Sequence, residues 1–175
     1  MLEDGSLCIS QSMTIVRHAA RMGNIYGASP ADATLIDQVL DGITDARSPI
    51  VGFPFMDPQE ACNRLHGSVQ RYFPHLELLA NSGSGSAPFA VGSALSVADV
   101  LLAELVQSCH EALSSTFGEP VAEQVLQDFP RLRAIHAHVL ALPEIQNFMA
   151  GPNWFPFPSG AIGKAYVTNV RTVLA

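Results

Sequence analysis

The chain has 175 residues with sixteen acidic and nine basic side chains, a net charge of −7 and a single lysine, Lys164, which leaves no basic stripe and excludes nucleic acid as a partner. Hydrophobic residues make up 48% and mean hydropathy is +0.23, enough for one well-packed domain and apolar enough to expect contact with another chain or domain. No apolar run nears the ~18 residues a membrane span needs, the first residues lack a signal-peptide layout, and Cys8, Cys62 and Cys109 are too few and too scattered for a disulfide framework or a CxxC metal site; the expectation is a cytoplasmic protein with no membrane partner.

The predicted elements begin with a short alternating strand, Ser6-Leu7-Cys8-Ile9-Ser10, that runs into Gln11-Ser12 at the mouth of an amphipathic helix reaching Met22, with Met13, Val16 and Ala20 on one face. The first-turn N–H groups of a helix have no intrahelical partners and lie at the positive end of its dipole, so this is a small-anion site suited to a carboxylate. The Ser12 hydroxyl and the Gln11 amide add contacts, and the amide can serve a neighbouring amine as well. Serine at this place also reads as a plain helix cap. Ser29-Pro30-Ala31-Asp32 then supplies an N-cap, a proline at N1 and an acid at N3 for a helix in which Leu35, Ile36, Val39, Leu40 and Ile43 recur to about Arg47.

Breaks are predicted around Pro49 and Pro54. Asp57-Pro58-Gln59-Glu60 restarts a helix to Leu79, with Pro74 kinking or interrupting it. Asn81 to Ser86 is a Gly/Ser loop without the GK[ST] ending of a phosphate loop. Ser96 and Asp99 have the spacing of a capping box, with Leu95 and Val100 as its hydrophobic staple, so they are read as structural rather than catalytic. Their helix runs to about Leu113, two more follow over 128–140 and 143–150, and the tail over 151–175 is expected to be irregular. The six histidines form no HExxH or other local ligand spacing, so no metal is expected.

These strings together are identified with a known family. Leu2-Glu3-Asp4-Gly5-Ser6, Gln11-Ser12 with its helix through His18, Ile25-Tyr26-Gly27 and Leu35 through Gly42 resemble, without a gap, the glutathione transferases of the sigma, mu and pi type. Phe89-Ala90-Val91-Gly92 with Leu95 to Asp99, then Phe129-Pro130-Arg131-Leu132 with Leu142-Pro143-Glu144-Ile145, are similar to two further family signatures. The resemblance implies a mainly α fold: the last strand and helix of a thioredoxin-like α/β domain over 1–27, then an all-α C-terminal bundle over 28–150. Most of the thioredoxin-like domain is absent from these residues, and Met1-Leu2 fits interior family positions, so a truncated form is expected.

The resemblance also implies the chemistry, attack of the glutathione thiolate on a small electrophile, with glutathione as co-substrate and no cofactor. A thiol of pKa ~8.5 is mostly protonated at neutral pH, and the family's thiolate-stabilising tyrosine sits on a strand that this chain lacks, so no catalytic residue is assigned. Gln11 and Ser12 are expected to bind the γ-glutamyl end, Asp45 to reach it from a partner subunit, and Phe55 to line the electrophile pocket. Arg17, Arg21, Asp37 and Asp41 are expected at a homodimer interface. The alternative is a non-catalytic structural or interaction module of the same family.

Overall fold

In the computed structural model, which describes residues 1–82, 88–155, 157 and 160–174, the first structured element is a hairpin rather than a lone strand. Strand β1, Leu2–Asp4, pairs antiparallel with β2, Leu7–Ile9, Leu2 opposite Ile9 and Asp4 opposite Leu7. Gly5 at φ +59 makes the tight turn between them. The expected single strand is therefore corrected to two, for a physical reason: one three-residue strand would leave its ladder groups unpaired.

Helix α1, Ser12–Met22, follows at the predicted place and seats Met13, Val16 and Ala20 against the core. Its middle is tied to two neighbouring elements. His18 meets Asp4 of the hairpin at 2.9 Å, while Arg17 donates to Asp37 at 2.8 Å and to Asp41 at 2.6 Å on α2, Pro30–Gly52. The start of α2 is the predicted cap, with the Ser29 hydroxyl accepting the Asp32 N–H at 3.1 Å and the Asp32 carboxylate accepting the Ala28 N–H at 3.2 Å.

Neither internal proline stops its helix. The chain stays helical through Pro49 to Gly52, then makes a 3₁₀ turn over Phe53–Phe55, and α3, Pro58–Ser82, runs unbroken past Pro74. Each proline removes one backbone donor and crowds the carbonyl four residues back, a cost of about 3 kcal/mol in an isolated helix. Burial outweighs that here, because Ala46 and Ile50 flank Pro49, and Phe73 and Leu76 flank Pro74, all at 7% exposure or less. The buried Ser68 hydroxyl donates to the Ala46 carbonyl at 2.8 Å, fixing α3 on α2. The predicted Gly/Ser loop falls largely on 83–87, outside the described residues.

Helix α4, Val97–Phe117, is the axis of the bundle, packed against α1, α2 and α3, then α5, Glu119–Leu126, and α6, Pro130–Leu140. Its buried face includes Leu102, Leu105, Val106, Cys109 and Leu113. Burial pushes the Cys109 thiol up to about 12, against a smaller opposing pull from Arg47, so it stays a protonated core residue. At the end of α3, Glu77 accepts the N–H groups of Arg131 at 2.8 Å and Leu132 at 3.0 Å, satisfying the first turn of α6. The Arg131 side chain donates to the Ala80 and Phe89 carbonyls at 3.1 and 2.7 Å, so one arginine joins the end of α3, the approach to α4 and the start of α6.

Two helices differ from expectation. No helix is predicted over 119–126, yet α5 forms there after Gly118 turns at φ +88. Helix α7, Pro143–Met149, forms where expected, but the tail after it, expected to be irregular, carries α8, Gly160–Leu174. Gly160, Gly163 and the prolines before them suppress the helix signal, and most described side chains of α8 are exposed, so no periodic apolar stripe announces it.

At the N-terminus of α4 the Asp99 carboxylate is fully buried and accepts from the Ala90 N–H at 2.6 Å, the Ser96 N–H at 2.7 Å and the Ser96 hydroxyl at 2.8 Å. One residue on, the Val97 N–H reaches the Ile25 carbonyl at 2.9 Å. Replacing Asp99 by Ala strands two buried N–H groups, whereas Ser96→Ala removes one donor and one cap. The expected cost is about 3 kcal/mol or more for Asp99→Ala and about 1 kcal/mol for Ser96→Ala, read by denaturant unfolding. Equal, small losses would show that the carboxylate does not organise this corner.

Candidate functional site

The candidate site is built at the start of α1. Gln11 precedes the helix at φ +73 and ψ +118, a conformation that a residue with a Cβ adopts only under constraint. Its carbonyl accepts the Ile15 N–H at 3.0 Å, so the backbone has already turned into the helix, yet no side chain caps the first turn. The plain-cap reading of the serines therefore gives way. Ser12 is the first helical residue, exposed like Gln11, and the first-turn donors point to an open helix end.

Ser12 stands on the rim of a cleft of about 460 Å³. One wall comes from α2 through Arg47, Ile50 and Val51, with Pro54 of the 3₁₀ turn. Helix α4 supplies Glu104, Gln107, Ser108 and Glu111, and the segment after α7 closes the cleft with Trp154, Phe155, Phe157 and, from α8, Tyr166. A second hollow of about 530 Å³, between Phe53, Met56 and α8, does not include the start of α1. The cleft on Ser12 thus places the start of α1 beside an apolar wall.

The cleft floor is polar and internally paired. Arg47 pairs with Glu104, whose other oxygen accepts the Ser108 hydroxyl at 2.9 Å. Burial lowers the Arg47 pKa. His136 meets Gln107 at 2.7 Å, Gln107 donates to Glu111 at 2.5 Å, and Glu111 accepts the Phe157 N–H at 2.8 Å, which fastens the closing segment onto α4. Burial lowers the His136 pKa, helped by His110 and Arg133, so this imidazole is held neutral.

The other sequence-derived residues fall in different places. Phe55 is half-buried and does not line the cleft; its ring lies 5.6 Å from that of Tyr166, which does. Asp45 is exposed on α2 in a separate hollow with Ser48, Arg64 and Arg71. Arg17 is satisfied within its own chain by Asp37 and Asp41, while Arg21 lies exposed with its guanidinium 4.2 Å above the Tyr26 ring. The Tyr26 hydroxyl donates to Asp37 at 2.5 Å. Burial and this bond raise the Tyr26 pKa, and although burial opposes it, the bonds from Tyr26 and Arg17 keep Asp37 below the ordinary carboxylate range. Tyr26 is therefore a structural phenol.

Sequence reasoning missed Arg47, Glu104, Glu111 and Tyr166 as cleft residues, because only tertiary packing brings α2, α4 and α8 around one space. The one available signal was the clustering of Trp154, Phe155 and Phe157 after the last predicted helix.

Comparison with known proteins agrees with this architecture. Residues 44–152 match the sequence model described as the glutathione S-transferase C-terminal domain. The chain is 33% identical to rat (Rattus norvegicus) glutathione S-transferase alpha-4 over 99% of its own length and 74% of that protein's. It is 30% identical to the glutathione S-transferases P of goat (Capra hircus) and human (Homo sapiens), over 93% of its length and 73% of theirs. The solved structures titled NaGST-2 and NaGST1 superpose with TM-scores of 0.68 and 0.69 at 19% and 21% identity; they cover 84% and 85% of this chain, and the chain covers 70% and 71% of each, so they share its fold. The matched region and the cleft at the head of α1 lead to one conclusion: this chain belongs to the glutathione S-transferase family.

Proposed function

We propose that these residues hold the γ-glutamyl end of glutathione and the electrophile cleft of a glutathione-conjugating enzyme. The observation that carries the reading is the constrained backbone of Gln11, which opens α1 beside the cleft with its first-turn donors unspent. A γ-glutamyl carboxylate placed there accepts from the Ser12 hydroxyl and the first-turn N–H groups, in the field of the helix dipole. The Gln11 amide oxygen takes the α-amine, joined by Asp45 of the partner subunit. The exposure of Asp45 in a hollow apart from the Ser12 cleft supports that trans role. Phe55 acts on the electrophile through Tyr166, as the support behind the cleft wall.

The reaction is conjugation through the thiolate. Gln11 and Ser12 fix only one end of the peptide, so lowering the thiol pKa and aiming the sulfur are tasks for other groups. The hydroxyl of Tyr26 is committed to Asp37, and no described residue is assigned the thiolate role. On this reading residues 1–27 are the end of a thioredoxin-like domain, residues 28–150 form the helical domain, and the protein acts in the cytoplasm. No described helix is long and apolar enough to cross a membrane.

Activity and binding separate in two measurements. The 175 residues alone are expected to conjugate a standard aryl halide at a negligible rate and to bind glutathione weakly. In Gln11→Gly, release of about 1 kcal/mol of backbone strain should leave the melting temperature equal or higher while glutathione binding is lost. Rapid conjugation by the parent chain, or a Gln11→Gly chain that melts early and still binds, contradicts the reading.

We further propose an isologous homodimer through α1 and α2, with exposed Arg21, Met22 and Asp41 at its seam. Sedimentation should give a dimer that Arg21→Glu shifts toward monomer by at least tenfold in dissociation constant. A monomer at every concentration overturns the assembly.

A further inference from the structure

Outside the cleft, the cluster of greatest chemical definition lies where α5 folds back on α4. His110, on α4, brings Nε2 to 2.9 Å from Glu119 Oε1 and 3.7 Å from Glu123 Oε1, both on α5. All three donor atoms lie within 4.8 Å of one another. His110 stands nine and thirteen residues before the two acids, a spacing that matches no local ligand motif; the Gly118 turn alone brings them together.

We propose that His110, Glu119 and Glu123 form a binding site for a divalent transition ion of the zinc type. In a tetrahedral zinc site with bonds of about 2.0–2.1 Å, donor atoms stand about 3.3–3.4 Å apart. The two His110 separations bracket that value, and the carboxylate oxygens stand within 4.8 Å of each other, so small side-chain adjustments bring the triad to bonding distance. One imidazole with two carboxylates is a borderline donor set that suits zinc, and a poor one for magnesium, which keeps an octahedral oxygen shell. The imidazole moves its proton to Nδ1 and presents the Nε2 lone pair.

Charge favours occupancy. Glu119 and Glu123 are four apart on one helix face, where like charges repel, and a dication between them reverses the sign of that interaction. Arg133 bonds the other oxygen of Glu123 at 3.2 Å, which orients the carboxylate while leaving Oε1 for the ion. The triad opens onto a cavity of about 610 Å³ that also holds Gln107 and His136, leaving the fourth coordination position to water or a small ligand. Helix α5 packs on α4 and buries Ala122 and Leu126, and an ion between His110 and the two glutamates adds a second link between the same helices.

The test is a Zn²⁺ titration of the metal-stripped 175-residue chain by calorimetry, with the melting temperature followed in parallel. The expected result is one Zn²⁺ per chain, a raised melting temperature, and no comparable effect from Mg²⁺. His110→Ala, and separately Glu119→Gln with Glu123→Gln, should each weaken affinity at least tenfold, while exposed His75→Ala leaves it unchanged. If a variant folds poorly, Co²⁺ in the parent chain decides: intense visible bands of tetrahedral Co²⁺ support the site, and the weak bands of an octahedral ion oppose it. Absence of Zn²⁺ binding by the parent, or affinity that survives His110→Ala, overturns the proposal.

Discussion

The buried carboxylate of Asp99 is the constraint on which the rest of the molecule depends. Fully removed from water, a carboxyl group needs hydrogen-bond partners for its oxygens, and here they accept from two backbone N–H groups and one hydroxyl. Those donors come from the turn at Ala90 and from the head of α4. With the Val97 bond to the Ile25 carbonyl, the same corner gathers the end of α1 and the link to α2. These bonds fix the direction in which α4 leaves that corner. No buried side-chain polar atom among the described residues lacks a partner.

The candidate site inherits its geometry from that axis. Glu104, Ser108 and Glu111 lie on successive turns of α4, so its direction sets the cleft floor, and Glu111 holds the segment that closes the cleft. The head of α1 reaches the same space because Arg17, with Tyr26 beside it, binds α1 to Asp37 of α2. Arg17 and Asp37 are each partly exposed, which keeps the strength of a single pair modest; the shared Asp37 oxygen and the second bond to Asp41 make it directional. Gln11 stands between the Arg17 attachment to α2 and the hairpin, whose Asp4 meets His18 of α1 at 2.9 Å.

Local chemistry was legible in the sequence, and long-range geometry was not. The caps at Ser29 and Ser96 were readable because each is a short pattern whose hydrogen bonds close within four residues. The same holds for Gln11-Ser12 as a helix entrance. Pro49 misled as a break and Pro74 as an interruption, because a local rule against proline was outweighed by burial of Ile50, Phe73 and Leu76, which depends on partners far along the chain. Helices α5 and α8 escaped because one is eight residues long and the other has few buried apolar positions. Phe55 is placed by resemblance alone, and no local pattern points to Tyr166, the ring 5.6 Å from it.

The account stands or falls on what the head of α1 binds. The most direct measurement is the amide spectrum of isotopically labelled protein during titration with glutathione and with γ-glutamylcysteine, which share the γ-glutamyl group. The account predicts that both ligands move the Ser12 and Met13 amide signals first and by similar amounts, with the Gln11 side-chain amide following. Shifts confined to other helices, or the same shifts from cysteinylglycine, which lacks the γ-glutamyl carboxylate, would contradict it.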